Sequence, residues 1–126
     1  MERVKYSLEF MCKASPTIVY QFLTTPSCLM RWFCDEVDVT GTEFVFVWSG
    51  AAEVAELIDD EEPNLLRFKW EDADDEDEYL EFQIEKSPVS NETIITVTDF
   101  ADEDEVDDDK ALWKTQLTRM KEEMGG

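Results

Sequence analysis

Val4, Tyr6, Leu8, Phe10 and Cys12 alternate with Lys5, Ser7, Glu9, Met11 and Lys13, the period-two pattern of a strand with one buried face. Ser15-Pro16 follows, and then Ile18, Val19, Phe22 and Leu23 recur at helical spacing. Serine there is placed to cap the helix and proline to occupy its first turn. The device repeats at Thr25-Pro26 before Leu29, Trp32 and Phe33, so two short capped helices are expected in tandem. From Val37 to Phe100 the apolar positions return to period two: Val37/Val39, Phe44/Phe46/Trp48, Val54 to Ile58, Leu66/Phe68/Trp70, Leu80/Phe82/Ile84 and Ile95/Val97. Six strands are predicted, separated by turn residues such as Gly41, Gly50, Pro63-Asn64 and Pro88 to Asn91. The phase is least constrained at Phe44 to Trp48, because Val45 and Val47 make both faces apolar. Finally the period changes to that of a helix from about Asp104 to Met124, with Val106, Trp113, Leu117, Met120 and Met124 forming one stripe.

Short links between strands favour antiparallel neighbours, and a half-apolar antiparallel sheet must cover its apolar face. The terminal helix is the available cover. The pattern therefore predicts an α+β domain: a seven-stranded antiparallel sheet, two short helices after the first strand, and a long C-terminal helix on the sheet. At 126 residues the chain is expected to be one domain, residues 1–126.

Charge changes the picture of partners. Eleven basic residues against 32 acidic ones leave a net charge of −21, yet 43% of positions are hydrophobic, too many for a disordered acidic tail. Such a field repels phosphate backbones and anionic headgroups, so neither nucleic acid nor membrane is expected as a partner. No signal-peptide-like run opens the chain and no stretch approaches the ~20 apolar residues of a membrane span, which predicts a cytoplasmic location. Cys12, Cys28 and Cys34 match neither a zinc motif nor a redox pair and read as reduced packing residues.

Histidine is absent, which excludes Ser-His-Asp, Cys-His and histidine-zinc chemistry. The acidic runs Glu71 to Glu78 and Asp102 to Asp109 lack the glycine of a calcium loop and read as solvated connections, salt-adapted surface or an acidic docking face. No metal and no cofactor is implied. Acid–base candidates near apolar strand positions are Glu36, Asp38, Glu56, Asp99, Tyr6, Tyr20 and Tyr79, but in so acidic a chain such neighbours arise by chance, and the catalytic set is left empty.

The segment Ala14-Ser15-Pro16-Thr17-Ile18-Val19-Tyr20-Gln21-Phe22-Leu23-Thr24 with Pro26, then Leu29 and Arg31-Trp32-Phe33, resembles the opening of START-like domains. Leu65 to Trp70 and the Trp113, Leu117, Met120 spacing fit the same template over nearly the whole chain. These domains belong to the birch-pollen-allergen-like helix-grip superfamily, SRPBCC, and the branch most resembled holds the bacterial homologues of the activator of heat-shock protein 90 ATPase. The resemblance implies a curved sheet gripping the terminal helix, often around an apolar cavity, and functions that run from lipid or hormone binding to cyclase chemistry to chaperone contact.

The strand phases and the helix stripe place Trp32, Trp48, Trp70, Phe82, Trp113, Leu117 and Met120 on the surfaces that face each other, where they either line a cavity or fill it. They are the candidate ligand-binding residues. The leading expectation is a non-enzymatic module binding a small hydrophobic molecule between sheet and helix. A chaperone-associated protein-interaction module is the alternative, and a cyclase-like enzyme the third.

Overall fold

The computed structural model describes residues 2–73 and 75–126. Strand β1 (Arg3–Cys12) is followed by helices α1 (Pro16–Thr24) and α2 (Pro26–Trp32). Strands β2 (Glu36–Thr40), β3 (Glu43–Trp48), β4 (Ala51–Glu61), β5 (Leu65–Trp70), β6 (Leu80–Lys86) and β7 (Thr93–Asp102) come next, and helix α3 (Val106–Met124) ends the chain. The sheet is antiparallel throughout, in the order β1-β7-β6-β5-β4-β3-β2. Consecutive strands pair as hairpins from β2 to β7, and the α1–α2 excursion carries the chain from one sheet edge to the other.

Ser15 caps α1 as its position suggests, its side chain accepting from the Ile18 N–H, with Pro16 in the first turn. Thr25 departs from the expectation. It precedes α2 in extended geometry but makes no side-chain capping bond, so the Pro26 start and the Thr25 carbonyl, which accepts from Leu29 N–H at 2.9 Å, begin that helix. α3 starts at Val106 after a single 3-10 turn over Glu103–Glu105, slightly later than the apolar stripe predicts. Asp107, Asp108 and Asp109 lie in its first turn, where the helix dipole favours negative charge. At its end Gly125 turns into the left-handed region at φ 89°, a conformation that glycine adopts at no steric cost.

Register settles the uncertain phase. Val37 lies opposite Phe46 and Phe44 opposite Ala55, so Phe44, Phe46 and Trp48 share the inner face while Val45 and Val47 look outward beside Val54 and Ala52. In β4 the run from Val54 to Ile58 is not one uniform face. A bulge between Leu57 and Asp59 leaves Ile58 unpaired against β5, which is why this isoleucine is half exposed. On α3, Trp113, Leu117 and Met120 are buried against the sheet and α2, while Val106 and Met124 are partly buried at either end. Burying Leu117 and Met120 completely contributes roughly 1.5–3 kcal/mol each.

Candidate functional site

Phe33 organises the aromatic face. It closes α2, so its ring leaves the helix axis and reaches between sheet and α3. Its centroid lies 5.0 Å from Trp32, 5.1 Å from Phe46, 5.3 Å from Trp48 and 6.1 Å from Trp113. Trp113 meets Phe82 edge-on at 5.7 Å, and Trp48 lies 6.3 Å from Trp70. All five aromatics expected to converge are thus linked, mostly through a residue that the helical spacing alone assigned to ordinary core. A helix-terminal position just before a strand is the signal that could have singled Phe33 out.

Two spaces adjoin this cluster. Inside, Trp32, Trp70 and Phe82 join Leu23, Phe46 and Phe68 around a void of only about 10 Å³, barely the room of one water molecule. Leu117 and Met120 are wholly buried and Trp113 nearly so, and none of the three borders that void. Outside, α2, the Phe33–Asp35 connection, the end of β3 and one face of α3 form an open cleft of about 430 Å³. Trp32 and Phe33 wall both spaces, and Trp48 belongs to the cleft. The Trp48 Nε1–H donates to the Phe33 carbonyl at 2.6 Å, and that of Trp32 to the Phe22 carbonyl at 2.9 Å, so both indoles are held by their polar edges and present apolar surface.

Of the acid–base candidates, Glu36, Asp38 and Glu56 are exposed. The Tyr20 hydroxyl donates to Asp60 at the surface, and Tyr79 lies under the Arg67 guanidinium. Asp99 and Tyr6 differ: they face each other across β7 and β1 on the inner side of the sheet. The Asp99 carboxylate accepts from Trp113 Nε1–H at 3.0 Å and from the Phe100 N–H at 2.8 Å, and the Tyr6 hydroxyl reaches Asp109 at 3.4 Å. Burial raises the Asp99 carboxyl above the ordinary aspartate range, and the charge of Asp109 adds to this; the two hydrogen bonds and Arg3 oppose it. Burial likewise pushes the Tyr6 phenol up, ahead of the charges of Asp99 and Asp109. Asp99 also borders a polar recess of about 240 Å³ beneath the β5–β6 connection, with Trp70, Phe100 and Arg3.

A carboxyl whose folded-state pKa is raised binds its proton more tightly in the fold, so its stabilising effect is complete at low pH and is lost as pH rises through the folded value. Asp99→Asn is therefore expected to melt higher than wild type at pH 7, with the difference shrinking as pH falls into the carboxylate range. Thermal melts of the two proteins between pH 7 and pH 4 check this, and a difference that widens on acidification would show Asp99 to be stabilised as the anion instead.

The thiols are buried at Cys12 and Cys34 and partly buried at Cys28, all unpaired. Burial, reinforced by Asp35, pushes the Cys34 thiol up to about 11, which leaves it a protonated packing group rather than a nucleophile. No helix of the described residues is long and apolar enough to cross a membrane.

A seven-stranded antiparallel sheet closed over a C-terminal helix, with two short helices sealing one end, defines a helix-grip domain of the kind that binds ligands or other proteins. The family model of the START-like superfamily domain matches residues 1–126, and the chain belongs to that family. No curated protein matches. Among solved structures, the solution structure of the Aha1 dimer from Colwellia psychrerythraea is similar at TM-score 0.80 and 20% identity, over 96% of this chain and 96% of that one. The AHSA1-like protein from Aeromonas hydrophila gives TM-score 0.74 at 20% identity, covering 94% of this chain and 90% of its own. A Bacteroides fragilis protein is 27% identical at TM-score 0.70, covering 95% and 90%. The first two show that the chain shares its fold with Aha1-like proteins.

Proposed function

We propose that this START-like domain is a non-catalytic binding module for a small hydrophobic molecule, taken in the cleft between α2, α3 and the end of β3. The observation that carries this reading is the cleft itself: about 430 Å³, within the usual range of small-molecule sites, with Trp32, Phe33 and Trp48 in its wall. The interior void of about 10 Å³ is too small to hold such a ligand unless side chains move, so the cleft is the site, with Trp32 and Phe33 as the boundary through which a ligand would reach inward. Trp113, Leu117 and Met120 then support the wall from behind, and Trp70 and Phe82 seal the interior.

Titration with a neutral solvent-sensitive dye such as Nile red tests this. Saturable emission is expected, with Trp48→Ala weakening binding by about ten-fold, the loss of one large aromatic contact. Dye binding that ignores Trp48→Ala would move the site elsewhere. The absence of any binding would favour a second reading, a protein-interaction module of the chaperone-activator kind, for which the nearly filled interior is the supporting observation.

A further inference from the structure

We infer that the cleft selects amphipathic monocarboxylates, with Arg119 as the anion-binding residue; this deepens the proposed function and rests on it. The chain has four arginines. Arg3 pairs with Glu78 and Asp102, Arg31 with Glu123 at 2.9 Å, and Arg67 with Glu81 at 2.5 Å. Arg119 is the exception among the described residues, making neither an ion pair nor a hydrogen bond, although Glu122 and Glu123 follow it by three and four positions on the same helix. The lysines form no ion pair among the described residues either, so what distinguishes Arg119 is its place: it lines the cleft together with Trp32, Phe33 and Trp48.

The helical period brings Gln116 to the same face as Arg119, three residues before it, and both line the cleft. A guanidinium presents a planar fork of donors that matches a carboxylate, and the neighbouring amide adds a donor of its own. The opposite side of the cleft carries Asp35, whose Oδ2 accepts from the Ser49 N–H at 2.7 Å. That negative charge repels a second anionic group, so a ligand with one carboxylate at the Arg119 end and an apolar body along Phe33 and Trp48 fits where a dianion does not. The surrounding negative field opposes the first carboxylate and a second one more, so the preference for a monocarboxylate over a neutral ligand rests on the local contact with Arg119.

The four indole N–H resonances of Trp32, Trp48, Trp70 and Trp113 give separate NMR reporters of cleft and interior. Decanoate, kept below its micelle concentration, is expected to shift the Trp48 resonance saturably, because that N–H is bonded to the Phe33 carbonyl in the cleft wall. Decanol should bind about ten-fold more weakly or worse. Arg119→Gln should bring decanoate down to the level of decanol, and Arg119→Lys should restore part of the difference. Lys114→Gln removes the same charge from the adjoining helix surface, at a residue that does not line the cleft, and should change decanoate affinity by less than about two-fold. Equal binding of decanoate and decanol at Trp48, or equal losses in Arg119→Gln and Lys114→Gln, overturns the role of Arg119 and leaves the apolar cleft standing. If neither compound perturbs Trp48, the cleft reading falls with it.

Discussion

Trp113→Ala is expected to destabilise the domain by roughly 3–5 kcal/mol, the cost of deleting a large buried aromatic. Trp113 is buried, its ring lies between Phe33 and Phe82, and its N–H is one of two donors to the Asp99 carboxyl. Against a total stability of about 5–15 kcal/mol for a domain of this kind, that is a large fraction. Trp113→Phe separates the two contributions. It keeps an aromatic ring between helix and sheet but strips Asp99 of a donor, and should cost about 1–3 kcal/mol. Made in an Asp99→Asn background, the same change should cost less, and the difference measures the hydrogen bond directly. Urea denaturation of wild type and the four variants checks this. A Trp113→Ala protein within about 1 kcal/mol of wild type would mean that α3 is not held through this contact.

Sodium chloride is expected to raise the melting temperature, with most of the gain below physiological ionic strength. Like charges summing to −21 repel more in the compact fold than in the expanded chain. Screening shortens the Debye length from ~30 Å at 0.01 M to ~8 Å at 0.15 M. The same salt weakens the exposed Arg31–Glu123 pair, worth at most about 1 kcal/mol, and screens the Arg3 and Arg67 pairs less because Glu78 and Glu81 are buried; together they engage only a few of the 32 acids. Repulsion therefore dominates, and a net gain of about 1 kcal/mol would appear as roughly 3–6 °C in a chain of this length.

The acidic β5–β6 connection provides a local version of the test. Glu71, Asp72, Asp75, Glu76 and Asp77 are exposed, whereas Glu78 is buried and holds the Arg3 guanidinium at 2.7 Å; Asp74 lies outside the described residues. Replacing the five exposed acids by Ser or Asn should stabilise the protein at low salt and flatten its salt dependence. Glu78→Gln should destabilise it, because Arg3 then loses the nearer of the carboxylates Glu78 and Asp102 that it pairs with. A melting temperature that stays flat from 0.01 to 0.15 M salt would remove the repulsion argument for the whole surface.

Most of the architecture was legible along the chain because secondary structure is a local property. Tyr6 to Cys12 and Phe44 to Trp48 carry their period in adjacent residues, and Trp113, Leu117 and Met120 carry theirs within two turns of helix. The bulge at Ile58 was not legible, since it depends on how β4 meets β5 rather than on β4 alone. Neither was the side-chain bond missing from Thr25, because a capping residue can supply its carbonyl without its hydroxyl.

The candidate site divides along the same line. Which aromatics face inward follows from strand phase and helix stripe, and Trp32, Trp48, Trp70, Phe82 and Trp113 do meet. How much room they leave depends on the separation of two layers, and the volume between packed side chains is a small difference between large ones. Asp99 shows the same division: alternation puts it on the inner face with Ile95 and Val97, but its environment is set by Trp113, fourteen residues away. Arg119 reads as one more charge on an exposed helix. Only the tertiary structure, which gives Glu123 to Arg31 across 92 residues and sets Trp48 opposite α3, leaves this arginine unpaired beside an aromatic wall. The elements, their order and the side each one buries are written along the chain in periods of two and 3.6 residues. The tertiary structure decided the filled interior, the open cleft and the pairing of each charge, because these depend on distances between residues that the chain keeps far apart.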